Sequence, residues 1–257
     1  MGRMSVEPIV YPLLFLAAVL AGLVDSIAGG GGLITVPALL AAGLPPQLVL
    51  GTNKLQASFG SFTAAVNYTR QGMVDLRQSA WGVGFTFLGA VAGACVVQSL
   101  PGELLKRIIP LLLLAIVVYM LARPSLGELD LRPRMPAVAF YAVFGLAIGF
   151  YDGFFGPGTG SFWLIALMLG LGLNVTRATG TTKVMNFTSN IVALTVFAIG
   201  GHVQIAIGMT MAVGEILGAM IGSTMVIRRG ARFIRPVFLT VVVLTTIKLL
   251  YDAWTGR

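Results

Sequence analysis

The chain contains two near copies of one short motif, and each copy places a lysine among apolar residues. The sequence GTNKLQ at 51–56 recurs as GTTKVM at 180–185, so Lys54 and Lys183 stand 129 residues apart. The surrounding motifs also recur in the same order: DSIAGGG at 25–31 as DGFFGPG at 152–158, and LGAVAG at 88–93 as LGAMIG at 217–222. This duplication predicts two structurally equivalent halves that share one substrate path.

The composition indicates a polytopic membrane protein. Of the 257 residues, 57% are hydrophobic and 10% are charged, with a mean hydropathy of +0.92, whereas soluble domains carry about 25% charged residues. The net charge of +8 does not indicate nucleic-acid binding, because basic residues collect in the cytoplasmic loops of membrane proteins. Basic runs interleaved with aromatic residues are also missing from the sequence.

Ten apolar segments follow one another along the chain, and two of them are too short to cross a bilayer. The short segments, 33–43 and 160–172, contain 11 and 13 residues and follow the glycine breaks GGGG at 29–32 and GPGTG at 156–160. Short segments at matching positions of two halves are typical of broken or re-entrant helices at a transporter binding site. The remaining predicted segments are 9–28, 47–69, 79–99, 104–122, 136–152, 177–199, 203–227 and 232–254.

The polar stretch 123–136 divides the chain into an N-terminal repeat, 1–122, and a C-terminal repeat, 137–257. If each short segment returns to the side it came from, the loops on one side hold ten arginines and the other side four or five basic residues. If each half instead crosses four times, the count is roughly six against seven. The positive-inside rule favours the first arrangement.

The predicted fold is therefore an all-α polytopic membrane protein with two inverted-topology repeats. Each repeat consists of a broken or re-entrant helical hairpin and three transmembrane helices. The linker is predicted to be cytoplasmic, both termini to lie outside, and the chain to reside in a bacterial inner membrane. The glycines of LGAVAG and LGAMIG are predicted to be helix-packing contacts.

The two lysines are the first candidates for a binding site, because a cation at membrane depth is costly and is usually functional. The residues before them resemble an opened or newly started helix, whose free N–H groups and dipole attract anions. We expect an anion cage near the bilayer centre; alternatively, the lysines pair with Asp25 and Asp152 and only fasten helices. The residues preceding the lysines are Gly51, Thr52 and Asn53 in one half and Gly180, Thr181 and Thr182 in the other.

Three acidic residues are candidates for coupling or for structural roles. Asp25 and Asp152 each end a long apolar segment before a glycine break, which fits capping, ion pairing with a lysine, or a proton relay. Glu215 has no acidic counterpart, since Thr86 stands at the equivalent position. It is interpreted as either a proton carrier or a partner for a lysine.

Main-chain N–H groups at the glycine breaks supply a second type of anion contact, because successive N–H groups form anion-binding nests. The residues predicted to contribute are Gly30, Gly31, Gly158 and Thr159. One turn beyond the lysines lie polar side chains that either line the pocket or bridge helices. These are Gln56, Ser58 and Ser61 in one half and Asn186, Ser189 and Asn190 in the other.

The paired motifs VDSIAGGGGLITVPALLAAGLPP…LGTNKLQASFGSFTA and GFFGPGTGSFWLIAL…ATGTTKVMNFTSNI resemble the sulfite exporter TauE/SafE family of membrane permeases. The resemblance covers nearly the whole chain. It implies export of sulfite or organosulfonates across the bacterial inner membrane, driven by an ion gradient. The family pattern falls on Asp25, Gly29–Gly32, Gly51–Lys54, Asp152, Gly156–Gly160 and Gly180–Lys183, and it does not include Glu215.

The sequence thus predicts a secondary transporter of small sulfur-containing anions that works by alternating access, with an anion channel as the alternative. No enzyme activity, cofactor or metal site is expected, since neither HExxH nor GxSxG occurs. The expected partners are a small anion, the lipid bilayer and a coupling proton or cation. Nucleic acid is not expected, and a homo-oligomer is compatible with this composition.

Overall fold

In the computed structural model, which describes residues 7–121 and 132–229, every regular element is helical. The first half contains α1 (Val10–Ala28), α2 (Gly32–Ala41), α3 (Pro46–Arg70), α4 (Leu76–Ser99) and α5 (Gly102–Leu121). The second half contains α6 (Ala137–Phe140), the π-helical turn π1 (Tyr141–Gly145), α7 (Leu146–Phe154), α8 (Thr159–Leu171), α9 (Val175–Ile199) and α10 (Ile205–Arg229). Elements α6, π1 and α7 follow one another directly and make a single span.

Nine of the ten predicted segments have a helical counterpart within a few residues of the predicted bounds. The two short segments are confirmed as α2, with 10 residues, and α8, with 13 residues. At 1.5 Å per residue these helices are about 15 and 20 Å long, against a hydrocarbon core of about 30 Å. Residues 123–131 of the predicted linker and the last predicted segment, 232–254, lie outside the described residues.

The distribution of polar side chains is that of a multi-pass membrane protein. Five spans are long and apolar enough to cross a membrane: Val10–Ile27, Leu76–Ser99, Ala137–Phe154, Val175–Ile199 and Ile205–Arg228. Large apolar side chains stand on the outside; Ile199 is 83% exposed and Leu111 is 66% exposed. Helix α3 instead turns polar side chains inward, including Lys54 and Gln56. The apolar exterior and polar interior suit a lipid environment.

The fourth helix of the first half packs against the second half through two glycines. A Cβ added at Gly89 would collide with the backbone of Leu146 and Phe150 on α7, and one added at Gly93 would collide with Phe150 and Phe154. The predicted helix-packing role of these glycines is confirmed. Without side chains at these positions, the α4 and α7 backbones lie in direct contact.

The fourth helix of the second half repeats this contact on the first half. A Cβ added at Gly218 of α10 would collide with the backbone of Val19 and Leu23 on α1, and Gly222 lies against Leu23 and Ser26. Each half thus packs its fourth helix on the first span of the other half. The two copies of the glycine motif therefore make corresponding contacts between the halves.

The helices that carry the lysines begin earlier than the sequence suggested. Helix α3 starts at Pro46, and Val49 N–H already donates to the Pro45 carbonyl at 2.9 Å. Helix α9 follows the N-cap Asn174, whose side chain accepts a hydrogen bond from Arg177 N–H at 3.0 Å. The prediction of an opened helix at Gly51–Asn53 and Gly180–Thr182 is therefore wrong. These residues lie inside regular helices, where N–H groups bond carbonyls four residues earlier.

We expect Gly93→Ala to destabilise the protein and Gly84→Ala to leave it as stable or slightly more stable. Both glycines lie on α4, but a Cβ at Gly84 meets nothing within 4 Å. The Gly93 variant must push two backbones apart, at a cost of about 1–3 kcal/mol, while alanine gains about 1 kcal/mol of helix propensity at an open site. Thermal unfolding in detergent measures the difference. Equal melting temperatures for the two variants would contradict the close α4–α7 contact.

Candidate functional site

The two glycine breaks cross each other in the interior. Gly29 and Gly160 are in such close contact that a Cβ on either would collide with the backbone of the other. The Ser161 hydroxyl donates to the Gly29 carbonyl at 3.2 Å, and Gly32 packs on Pro157. Gly29 also adopts φ +68°, a left-handed conformation that favours glycine. The crossing brings the N-terminal ends of α2 and α8 to one place.

A small cavity of about 30 Å³ lies beside this crossing, and both halves line it. Ten of the predicted site residues line this cavity. Those residues are Asp25, Gly30, Gly31, Asn53, Lys54, Asp152, Gly158, Thr159, Asn186 and Glu215. Asn190, Gly32, Gly156 and Gly160, which the sequence analysis also named, line it as well, together with Ala57, which it did not name.

Lys54 extends from α3 of the first half to residues of the second half. Its ammonium donates to Asp152 Oδ1 at 2.6 Å and to Asn190 Oδ1 at 3.1 Å. The other carboxylate oxygen of Asp152 accepts a hydrogen bond from the Ser189 hydroxyl. Gly156, with φ +100°, passes so close that a Cβ there would collide with the Lys54 ammonium. A larger residue at 156 would push the ion pair apart.

Lys183 makes the reciprocal contact from α9 of the second half to the first half. Its fully buried ammonium donates to Asp25 Oδ2 at 3.0 Å. Asp25 Oδ1 accepts hydrogen bonds from the N–H groups of Gly30 and Gly31 at 3.1 and 3.3 Å. Asp25 therefore both caps the first glycine break and pairs with a lysine, as the sequence predicted for its structural role. Lys183 does not itself line the cavity, but Asp25 does.

The interior holds two ion pairs, and each joins one half of the chain to the other. The contacts expected if lysines fasten helices are thus present. They also leave Lys54 at the cavity wall and Lys183 behind Asp25, each neutralised by a carboxylate and not by solvent. Because an unpaired charge at this depth is very costly, any bound anion must enter this network as a replacement partner.

Glu215 brings a third carboxyl group to the cavity. It lies on α10, is 2% exposed, and has an oxygen packed against Gly22 and Gly60. Among the described residues it forms no ion pair with a basic side chain. The cavity lining therefore has three carboxyl groups, from Asp25, Asp152 and Glu215, and one lysine, Lys54, while Lys183 pairs with Asp25 from behind the lining. Within residues 7–121 and 132–229, no group of His, Cys, Asp or Glu is arranged to hold a metal ion.

A small amide and hydroxyl network lies beside the cavity in the first half. Thr35 donates to Asn53 Oδ1 at 2.6 Å, while Gln56 Nε2 donates to Asn53 Oδ1 at 2.9 Å and to Thr35 Oγ1 at 3.2 Å. Gln56 is therefore a bridge between polar groups and does not line the cavity. Thr35 was missed in the sequence, although it stands one turn into the short helix after the glycine break.

Besides Lys183 and Gln56, five residues predicted to bind substrate do not line the cavity. Gly51 lies against the His202 carbonyl, and Gly180 packs on Tyr68. The Thr52 hydroxyl accepts a hydrogen bond from Gln204 N–H at 2.9 Å. The remaining two, Thr181 and Thr182, are buried in α9. These residues support helix packing around the lysines, because regular helix continues through them.

Comparison with known protein families gives a match that covers all of these motifs. A family model described as sulfite exporter TauE/SafE matches residues 14–249. The chain belongs to this family of membrane transporters. The match includes both glycine breaks and both lysine motifs, so the family extends over the whole candidate site.

Relatives of similar length carry the same general description. The probable membrane transporter protein YfcA of Escherichia coli K12 is 44% identical over 96% of this chain and 92% of its own length. The probable membrane transporter protein ORF9 of a Sinorhizobium species is 44% identical over 93% of this chain, and one from Haemophilus influenzae is 42% identical over 93%. No solved structure matches the chain significantly.

We expect Lys54→Met to destabilise the protein much more than the double variant Lys54→Met/Asp152→Leu. The single change leaves Asp152 charged and unpaired in the interior, at a cost of about 3–5 kcal/mol. The double change removes both charges together. Lys106→Met is the matched control, since Lys106 pairs with Glu103 on the exposed surface and should be nearly neutral. Thermal unfolding in detergent measures all three; a double variant as unstable as the single one would contradict the pairing.

Proposed function

We propose that this protein is a secondary transporter that moves a small sulfur-containing anion, such as sulfite, across the bacterial inner membrane. The observation that supports it is the pair of reciprocal Lys–Asp contacts around one buried cavity between the two halves. Alternating access would follow from movement of the halves relative to each other. In this proposal the halves have inverted topology, the linker is cytoplasmic and both termini lie outside.

The cavity supplies the donors that an oxyanion needs. The ammonium of Lys54 is at the wall, and the amide groups of Asn53, Asn186 and Asn190 stand around it. The Gly30 and Gly31 N–H groups, now bound to Asp25, face the same space. Charge-assisted hydrogen bonds from such groups to an oxyanion are stronger than neutral ones. A bound anion would therefore accept hydrogen bonds from donors that are bonded to the aspartates when no anion is bound.

This exchange links anion binding to movement of the halves. Each Lys–Asp pair holds the two halves together, so an anion that draws a lysine away from its aspartate weakens one of those contacts. The free energy of anion binding then offsets the free energy that is needed to separate the halves. A ligand shifts such an equilibrium only by its difference in affinity for the two states, and the competing carboxylate provides that difference.

The dimensions of the cavity favour a compact anion. Its volume is about 30 Å³, and a water molecule needs about 10–15 Å³ measured in this way. The space is therefore that of about two water molecules. A three-oxygen anion would fit after a small widening, whereas a long organosulfonate would require a larger rearrangement. The description of the family, which names sulfite, supports the same choice of a small anion.

We expect purified protein in proteoliposomes to transport sulfite faster than sulfoacetate, sulfolactate or taurine. Lys54→Ala and Lys183→Ala should each lower the sulfite flux at least tenfold, because loss of one charge-assisted hydrogen bond costs about 1.5–3 kcal/mol. Lys106→Ala, at the exposed surface, is the matched control and should transport normally. Size-exclusion profiles establish that each variant is folded. Normal sulfite flux in both folded lysine variants would overturn the proposal.

A carrier and an anion channel of the same architecture differ in counterflow. In a carrier, sulfite inside the vesicle should accelerate uptake of labelled sulfite, because the loaded carrier returns faster than the empty one. A pore gives no such acceleration. Ion pairs that join the halves lie at the cavity, which fits a carrier better. Uptake that does not change with internal sulfite would favour the channel instead.

A further inference from the structure

The two halves repeat their sequence motifs but differ in the polar groups that surround their ion pairs. Around Lys54 and Asp152, the Ser189 hydroxyl donates to the aspartate. The position equivalent to Ser189 in the first half, 129 residues earlier, is Gly60. Gly60 offers no hydroxyl, and the Glu215 carboxyl fills the adjacent space, where a Cβ would collide with it. A carboxyl group thus occupies the site that a hydroxyl occupies in the other half.

The neighbour of Glu215 also differs between the halves. Glu215 is equivalent to Thr86, and Gln56 is equivalent to Met185. Thr86 lies against Met185, with 3.5 Å between hydroxyl oxygen and sulfur. Gln56 stands one helical turn before Gly60 on α3, and the Glu215 carboxyl packs against Gly60. A weakly interacting Thr–Met pair in one half is therefore replaced by a Glu–Gln pair in the other.

The hydrogen-bond arrangement of Gln56 indicates which form of Glu215 fits. The Gln56 Nε2 group already donates to Asn53 and Thr35. Its Oε1 atom is buried and accepts no hydrogen bond within the described part of the chain. An amide oxygen accepts only, and an ionised carboxylate also accepts only. Of the two forms of Glu215, only the protonated one, which has an O–H, could donate to this oxygen.

The charges that face Glu215 come from every side of the cavity. Helix α10 packs on α1, which presents Asp25, and on α3, which presents Lys54. Lys183 of α9 is bound to Asp25, and Asp152 is bound to Lys54. With both pairs formed these four charges cancel, so an ionised Glu215 would leave the cavity with one net negative charge. A protonated Glu215 leaves it neutral, which is the state that accepts an anion.

We propose that Glu215 is a proton-binding site linked to the anion site, so that an anion and a proton bind together. This inference rests on the proposed transport function and adds a coupling ion to it. An anion in the cavity disfavours a second negative charge beside it and so holds the proton on Glu215. By linkage, a proton on Glu215 raises the affinity for the anion by the same factor. The transporter then carries one proton with each anion.

Methanesulfonate is the probe for this proposal, because it stays a monoanion throughout the working pH range while sulfite itself titrates. Its affinity for the wild-type protein in detergent is measured by calorimetry across pH. Because rising pH removes the proton from Glu215, the affinity should fall, by as much as about tenfold per pH unit for one linked proton. Glu215→Gln keeps a neutral side chain at every pH, so its affinity should not vary with pH.

Glu103→Gln is the matched control, since Glu103 is an exposed acid far from the cavity lining, and it should keep the wild-type pH dependence. In lightly buffered solution, the wild type should take up a proton when methanesulfonate is added, and Glu215→Gln should not. If Glu215→Gln fails to fold, Gln56→Met serves instead. This variant places at position 56 the methionine that stands at the equivalent position 185. It removes the amide oxygen that would accept the proton of Glu215, so the fall in affinity should move to lower pH.

Two results would overturn the inference alone: wild-type affinity that is constant with pH, or an unchanged pH dependence in Glu215→Gln. Both would leave the proposed function standing, because methanesulfonate would still bind. If neither methanesulfonate nor sulfite binds the folded wild-type protein at any pH, the proposed function fails and the inference fails with it. The experiment therefore separates the two.

Discussion

The interior of this protein depends on two lysines that a membrane tolerates only when each has a carboxylate partner. Neither partner lies in the same half: Lys54 bonds Asp152, and Lys183 bonds Asp25. Separation of the halves would leave four charges without partners in a region of low dielectric constant. The crossed pairs therefore hold the halves together more strongly than apolar packing does, since lipid competes equally for apolar surfaces.

The glycine breaks and the short helices follow from this requirement. An aspartate at the end of a long helix reaches a lysine of the other half only if the chain after it turns away sharply. Gly29 and Gly156, both with positive φ, make those turns, and Gly156 leaves room for the Lys54–Asp152 pair. Helices α2 and α8 then begin at the crossing and are too short to span a bilayer. The same turns expose main-chain N–H groups, one set of which binds Asp25.

Much of the fold was predictable because the chain repeats its motifs, and repetition identifies residues that packing alone would hide. The two short helices and the glycine contacts were found in this way, whereas pairing of the lysines with Asp25 and Asp152 was only the alternative to an anion cage. The prediction failed at Gly51 and Gly180, where Gly and Thr suggested an open helix although Pro46 and Asn174 start the helices earlier. Thr35 was missed because its equivalent is Phe162, and a search for matching polar residues passes over such a position.

Positions without a polar match also determine how the two ion pairs differ. The Asp152 side chain is 4% exposed and is held by Ser189, whereas the Asp25 side chain is 23% exposed. The Lys183–Asp25 pair is thus reached by solvent more easily, and it lies on the side of the cavity where Glu215 and Gln56 replace Thr86 and Met185. The two Lys–Asp pairs thus have different polar surroundings, because the motifs repeat while the residues at positions 60 and 189 and at positions 86 and 215 do not.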